Sequence, residues 1–301
     1  MLDQVLQFSI SSVACLIIPL LSVAIFSLFE RQFLGLVHKR FGPNKVSEGG
    51  LAQPLSDAIK LLSKQEDKVG NSKGVLFYLS PSIMLFTSII MWWCYPSSFG
   101  LSSWSLSSFF IILVFSITVY GVISLGWYSN SKYASLGAIR SSVQSISYEV
   151  GLAFGVISLC LTLGSVSISE WSCAQRYSWS VVWMPVFFCM MIAILTAESG
   201  RPPFDLPEGE SELVGGFSVE YGGVGYTMVF LSETLMLLWS SSILSTAFLS
   251  SSFWGFGVMV MGMVLLRASV PRVRFDFMME LFWVRILPCL ISLGTIYVIL
   301  V

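Results

Sequence analysis

The stretch from Ala197 to Gly223 carries the residues best suited to chemistry. It reads AESGRPPFDLPEGESELVGGFSVEYGG and contains a single cation, Arg201. Its six carboxylates are Glu198, Asp205, Glu208, Glu210, Glu212 and Glu220. Carboxyl groups crowded next to an apolar, low-dielectric region have raised pKa values, because desolvation and like-charge repulsion both oppose ionisation. Such groups titrate as a coupled set, so we expect this stretch to store and pass protons.

Two further glutamates lie inside apolar segments. Glu233 is near the middle of a long apolar stretch, where an ionisable group is costly and usually faces a cavity, a partner charge or a proton path. A structural hydrogen bond to another helix is the alternative for Glu233. Glu149 and Glu198 lie nearer the ends of apolar segments, so snorkelling to the interface competes with a buried role. For the loop acids, an ordinary solvated surface is the competing interpretation.

The composition places these acids in a membrane protein. The chain has 301 residues, of which 55% are hydrophobic and 11% are charged, whereas a soluble domain has about a quarter charged residues. The net charge of −1 gives no indication of a nucleic-acid partner. We therefore expect an all-α polytopic membrane protein.

Metal, flavin and nucleotide sites are not expected in this chain alone. Its six cysteines are scattered singly, and His38 is its one histidine, whereas metal sites need several closely spaced ligands. The glycine pairs form neither a G-x-G-x-x-G motif nor a P-loop, so no nucleotide site is indicated.

The hydropathy pattern predicts eight transmembrane helices, since about 20 apolar residues are needed for each crossing. A short amphipathic helix is expected in the first loop, where Leu51, Leu55 and Ile59 recur at helical spacing, and it should lie in the interface. The expected spans are 4–29, 75–95, 107–128, 146–168, 179–198, 223–248, 253–270 and 284–301. The connecting loops that should face one side are 30–74, 129–145, 199–222 and 271–283.

The distribution of positive charge supports this topology. Fifteen of the sixteen lysines and arginines border the odd-numbered loops, and only Arg176 lies in an even-numbered loop. Because positively charged loops stay on the side from which a membrane protein is inserted, the odd loops should face that side.

The motifs of these loops resemble a known family. The run AESGRPPFDLPEGESELVGGFSVEY resembles the signature of subunit 1 of respiratory complex I, the NADH:ubiquinone oxidoreductase. Three more stretches agree with that family in order and position, namely ERQFLGLVHKRFGPNKV with GLAQPLSDAIKLLSK, SNSKYASLGAIRSSVQSISYEV, and RASVPRVRFD. The sequence departs from the family pattern at Ser199-Gly200, where the family has Thr-Asn, and at Gln65 and Val270.

The resemblance implies a multi-pass subunit of the mitochondrial inner membrane that couples ubiquinone reduction to proton translocation. Its substrate would be ubiquinone. Its partners would be the other membrane-arm subunits, the hydrophilic subunits that carry iron–sulfur clusters, and membrane lipids, with no nucleic acid. The quinone chamber and its entrance would involve Glu30, Arg31, Arg40, Asp57, Arg272, Arg274 and Asp276. The proton relay would involve Arg140, Glu149, Glu198, Arg201, Asp205, Glu208, Glu210, Glu212, Glu220 and Glu233.

Two other classes of function remain open to the sequence. A stand-alone proton-coupled or ion-coupled transporter also uses buried carboxylates in its helices. A transporter would be active by itself in liposomes, whereas a complex I subunit would co-purify with iron–sulfur partners. A structural anchor, whose acids only contact basic partner surfaces, is the third interpretation.

Overall fold

The computed structural model describes residues 2–65, 72–95, 105–175, 178–206 and 215–300, and within these ranges the regular elements are all helices. A 3₁₀ turn lies at Glu48–Gly50, another lies at Gly216–Ser218, and a π-helical segment spans Leu281–Ile286. In chain order the helices are α1 (Leu2–Val37), α2 (Gln53–Leu62), α3 (Val75–Trp92), α4 (Ser107–Ser129), α5 (Lys132–Leu163), α6 (Ile168–Ala174), α7 (Ser180–Trp183), α8 (Pro185–Glu198), α9 (Gly223–Phe248), α10 (Phe253–Ser269), α11 (Phe275–Glu280) and α12 (Leu287–Leu300).

Six helices of the described chain are long and apolar enough to cross a membrane. They are α1, α3, α4, α5, α9 and the continuous helix that α11, the π-helical segment and α12 form together. Helices α8 and α10 are apolar but have 14 and 17 residues, fewer than the 18 residues of α3, which is the shortest of the six. The chain is thus a polytopic α-helical membrane protein.

Several helices extend beyond the apolar segments that predicted them. Helix α1 continues past residue 29 to Val37, and α5 begins at Lys132, ahead of residue 146. The fifth apolar segment, 179–198, contains two helices, because the helix breaks at Met184 and restarts with Pro185 in its first turn, a position that proline favours. Charged residues expected in loops, such as Arg31 and Arg140, consequently lie on rigid helices.

Helix α9 is the most enclosed of the long helices. It packs against α3, α10 and α1, while α5 packs against α4, α8 and α12. The indole Nε1 of Trp239 donates to the carbonyl oxygen of Met91 at 2.7 Å, which fixes α9 against α3. The buried hydroxyl groups of α9 donate to carbonyl oxygens one turn earlier, as Ser241 does to Leu238 at 2.6 Å. Their polarity is therefore satisfied inside an apolar interior.

Candidate functional site

A cavity of about 80 Å³ lies where α3, α4, α5, α9 and the end of α8 meet. Two carboxylates line it, Glu198 at the last position of α8 and Glu233 on α9. Its other polar lining residues are Thr87, Thr118, Ser141, Gln144, Ser145, Ser199 and Ser232. We call this space the carboxylate cavity. The structure therefore brings together two acids that are 35 residues apart in the sequence.

Glu198, at the end of α8, is partly buried. Its Oε2 atom is buried and accepts no hydrogen bond from the described residues. The negative charge of Glu149, on α5, acts on Glu198 electrostatically. A buried carboxylate oxygen needs a hydrogen-bond donor such as a water molecule, whereas a protonated one needs an acceptor. A nearby like charge disfavours ionisation of both acids together.

The loop that follows Glu198 is fastened to α5. The amide Nε2 of Gln144 donates to the carbonyl oxygens of Ala197 and Phe204, at 2.7 and 2.8 Å. One turn further along α5, the ring of Tyr148 packs on that of Phe204 with their centroids 6.0 Å apart. Both ends of the 197–204 turn are thus held by one face of one helix.

The same loop is also held by the segment between α10 and α11. Arg272 donates from Nη2 to Oδ2 of Asp205 at 3.2 Å, and the Val273 amide donates to the carbonyl oxygen of Pro203 at 3.1 Å. Asp205 is only 5% exposed. This contact joins Arg272, expected at the quinone chamber, to Asp205, expected in the relay. The Nε and Nη2 atoms of Arg201 are buried within the same loop.

Two ion pairs join the end of α1 to its neighbours. Glu30, which is 7% exposed, accepts a hydrogen bond from Nη1 of Arg267 on α10. Arg31 donates to Asp57 of α2 at 2.5 Å, and Nε2 of Gln53 donates to the other oxygen of Asp57 at 2.9 Å. Thus α1 is linked to α10 through its buried face and to α2 through its exposed face.

The electrostatics of Asp57 follow from these contacts. Partial burial raises the pKa of Asp57, but hydrogen bonds from Arg31 and Gln53, together with the charges of Arg31 and Lys60, outweigh burial. The pKa of this carboxyl group is therefore held below its usual value, and Asp57 is ionised at neutral pH.

The remaining residues of the expected chamber are exposed. Arg40 follows the end of α1, where its backbone amide donates to the carbonyl oxygen of Gly35 at 2.8 Å. Arg274 occupies the position before α11, and Asp276 lies in the first turn of that helix. These three residues lie on the protein surface and not in the carboxylate cavity.

Glu220 lines a second cavity, separate from the one that contains Glu198 and Glu233. This second cavity, of about 450 Å³, lies beside Phe77 and Tyr221. The Tyr221 hydroxyl contacts Ser80 Oγ at 2.9 Å and donates to the carbonyl oxygen of Leu125 at 3.1 Å. Burial raises the pKa of Tyr221 to about 12, with a smaller lowering from Ser80, so this hydroxyl keeps its proton at neutral pH.

Of the four other residues of the expected relay, the structure describes only Arg140. Arg140 is partly exposed on α5, nine residues before Glu149. Glu208, Glu210 and Glu212 lie outside the described residues, and their contribution stays a prediction.

The sequence reasoning missed two side chains that organise this region. Gln144 falls in the predicted loop 129–145, where a polar side chain is ordinary, whereas the structure buries it on α5. Arg267 is one of the fifteen cations counted above for the topology, and no sequence signal pairs it with Glu30, 237 residues away. Across the described ranges, no group of three or more His, Cys, Asp or Glu side chains is close enough to hold a metal ion.

Comparison with known proteins identifies the family. A family model described as NADH dehydrogenase matches residues 10–299. The chain belongs to the NADH dehydrogenase family. Among the relatives, the NADH-ubiquinone oxidoreductase chain 1 of Aedes aegypti is 38% identical over 285 residues, covering 93% of this chain and 91% of that protein. The same-named chain of Heterololigo bleekeri is 39% identical over 296 residues, covering 94% of each.

A bacterial relative matches over a comparable length. It is an NADH-quinone oxidoreductase subunit from Rickettsia bellii, 39% identical over 300 residues, which cover 92% of this chain and 88% of that protein. The resemblance found in the loop motifs is thereby confirmed.

One departure from the family pattern has a structural explanation. Gly200 adopts a left-handed conformation with φ of 62° directly after α8 ends. Glycine adopts this conformation without strain and asparagine tolerates it, so Gly200 can replace the family's asparagine here.

Proposed function

We propose that this chain is the quinone-chamber subunit of respiratory complex I, in which ubiquinone reduction by NADH-derived electrons is coupled to proton translocation. Alignments with chain 1 relatives that cover 93 to 96% of this chain support the proposal. The carboxylate cavity is the structural observation that carries the coupling role. The relatives are named as oxidoreductase subunits, so the comparisons do not favour a stand-alone transporter.

The proposed membrane topology has eight crossings. In addition to the six long helices, α7 and α8 together form the fifth crossing, and α10 forms the seventh. At 1.5 Å per residue, α10 is about 26 Å long, so local thinning of the bilayer lets it cross. The inner mitochondrial membrane is the proposed location, with the odd loops on the matrix side.

The entrance of the quinone chamber lies, in this proposal, between α1, α2 and α10. Helix α2 supports an interfacial position, because Leu55 and Ile59 are 65% and 68% exposed and offer an apolar face to lipid. The ion pairs of Glu30 and Arg31 hold α1 against its two neighbours. Arg40, Arg274 and Asp276 lie on exposed segments that are available to the iron–sulfur subunits.

The link from the chamber to the membrane interior runs through the loop after α8. Reduction of a quinone takes up protons and changes the local charge. Asp205, within this loop, forms an ion pair with Arg272. Glu198, just before the loop, lines the carboxylate cavity together with Glu233. A change of charge at the chamber therefore alters proton occupancy at Glu198, and Glu149 and Glu233 pass that change on, because nearby acids titrate together.

The test uses the assembled enzyme in liposomes, with Glu198→Gln and Glu233→Gln variants. Each variant keeps the size of the side chain and removes the exchangeable charge, so we expect NADH:ubiquinone reduction and proton pumping to fall by about tenfold or more. The matched control is Glu170→Gln, since Glu170 is an exposed acid on α6 outside the carboxylate cavity. Wild-type rates of both activities in the two cavity variants would contradict the relay.

A further inference from the structure

Gln144 makes an unusual use of its side-chain amide. It is 2% exposed and lies in the middle of an apolar helix. The atom facing the carbonyl oxygens of Ala197 and Phe204 must be the nitrogen, because two acceptors at 2.7 and 2.8 Å would repel an oxygen. The orientation of the amide is therefore set by its contacts.

The other end of this amide has no hydrogen-bond partner among the described residues. The Oε1 atom of Gln144 is buried and accepts no hydrogen bond from the described residues. Gln144 lines the carboxylate cavity, as does Glu198, whose buried Oε2 has the same need for a donor. The Gln144 oxygen needs a hydrogen-bond donor whatever the protonation state of Glu198, because leaving a buried acceptor unsatisfied costs about 1–3 kcal/mol.

The carboxylate cavity has enough room and polarity for water. One water molecule needs about 10–15 Å³, and the cavity measures about 80 Å³. Hydroxyl groups such as those of Ser145 and Thr118 already donate to carbonyl oxygens of their own helices, so they are not the obvious donors to Gln144. A water molecule can donate to two acceptors at once.

We propose that Gln144 is a positioning residue of the carboxylate cavity, which fixes the turn after Glu198 through its nitrogen and binds a water molecule, shared with Glu198, through its oxygen. This inference rests on the proposed relay and assigns a bound-water site to it. Proton exchange at Glu198 then requires both the position of the turn and the water that Gln144 holds.

The first test is a high-resolution electron cryo-microscopy map of the assembled enzyme. We expect density for a water molecule within hydrogen-bond distance of Oε1 of Gln144, and its loss in Gln144→Met. A dry cavity, or a protein N–H or O–H group bonded to Oε1, would overturn the assignment. This measurement does not depend on whether Glu198 takes part in proton transfer.

The second test is functional and uses Gln175→Met as a matched control. Gln175 makes a similar clasp, since its Nε2 donates to the carbonyl oxygens of Thr246 and Ala247 at 3.0 and 2.7 Å, but it lies away from the carboxylate cavity. We expect Gln144→Met to lower kcat for quinone reduction by about tenfold with KM unchanged. The Gln144→Met variant should also shift the infrared carboxyl band of Glu198. That band is assigned to Glu198 by its disappearance in Glu198→Gln. Gln175→Met should not move that band.

The outcomes separate this inference from the proposed relay. If Glu198→Gln stops pumping but Gln144→Met matches wild type in kcat and in the infrared band, the role of Gln144 is wrong and the relay stands. If Glu198→Gln pumps normally while the water is present at Gln144, the relay is wrong and the water site stands. Should Gln144→Met fail to assemble, Gln144→Asn, which withdraws the amide by one methylene, is expected to give the same losses.

Discussion

Breaking the ion pair between Glu30 and Arg267 should have an asymmetric effect on stability. The Glu30 side chain is 9% exposed, whereas that of Arg267 is 34% exposed. Replacing Arg267 with methionine strands a buried carboxylate, but replacing Glu30 with methionine leaves an arginine that can turn its charged end towards water. The two single variants therefore remove the same bond at different cost.

The magnitudes follow from burial. Removing one partner of a buried pair costs about 3–5 kcal/mol, and the partial exposure of Arg267 places Arg267→Met near the low end, at about 3 kcal/mol. For Glu30→Met we expect about 1 kcal/mol, the range of an exposed pair. The double variant should be close to wild type, because an apolar pair of similar volume often replaces a buried ion pair without loss.

Heat inactivation of the assembled enzyme measures this difference. If local opening of α1 from α10 precedes irreversible loss of activity, the inactivation rate follows the open population. A cost of 3 kcal/mol then corresponds to inactivation about 150-fold faster, and 1 kcal/mol to about fivefold. Equal rates for the two single variants, or a double variant less stable than Arg267→Met, would refute the argument from burial.

Two further predictions concern an exposed ion pair and a helix contact. The pKa of Asp57 is lower in the folded protein than in the unfolded chain. The ionised carboxylate therefore stabilises the fold at pH values above its ordinary pKa, by at most about 1 kcal/mol. This stabilisation is lost as the pH falls through the folded-state pKa. Hydrogen exchange of α2, corrected for intrinsic rates, should therefore rise below about pH 4, and Asp57→Asn should remove this dependence. In Gly126→Ala, the added methyl group would lie 2.2 Å from the Cβ atom of Ala138. We expect this overlap to destabilise the fold by about 1–3 kcal/mol and to lower the yield of assembled enzyme, measured on a native gel. Gly257→Ala, which meets no atom within 4 Å, is the control, and equal effects would contradict the packing.

The sequence predicted that this is a helical membrane protein and that its acidic residues lie within or beside apolar segments. The apolar segments, the loop motifs and the family resemblance are all read from consecutive residues, and the family is confirmed. The number of crossings stays a prediction, because six described helices have 18 or more apolar-rich residues while α8 and α10 have 14 and 17. Proline explains part of this difference, since Pro185 divides an apolar segment that hydropathy alone treats as continuous.

The candidate site was predicted only in outline. Glu233 was selected because an acid in an apolar helix is expensive, and Glu198 was selected as part of the acidic stretch; the structure places both at one cavity. Glu220 was selected with the same group, but it lines a different cavity. Glu198 and Glu220 share a loop but not a site, because Glu220 lies next to the start of α9 and lines the cavity beside Phe77 and Tyr221.

By itself, the sequence determined that this chain is a helical membrane protein of the NADH dehydrogenase family with acids beside its apolar segments. Hydropathy and motifs are local properties, so they need no knowledge of the fold. Only the tertiary structure decided that Glu30 meets Arg267, that Asp205 meets Arg272 and that Gln144 clasps the turn after Glu198. Such contacts depend on how each helix is rotated and packed against the others, and the helical period alone does not fix that rotation.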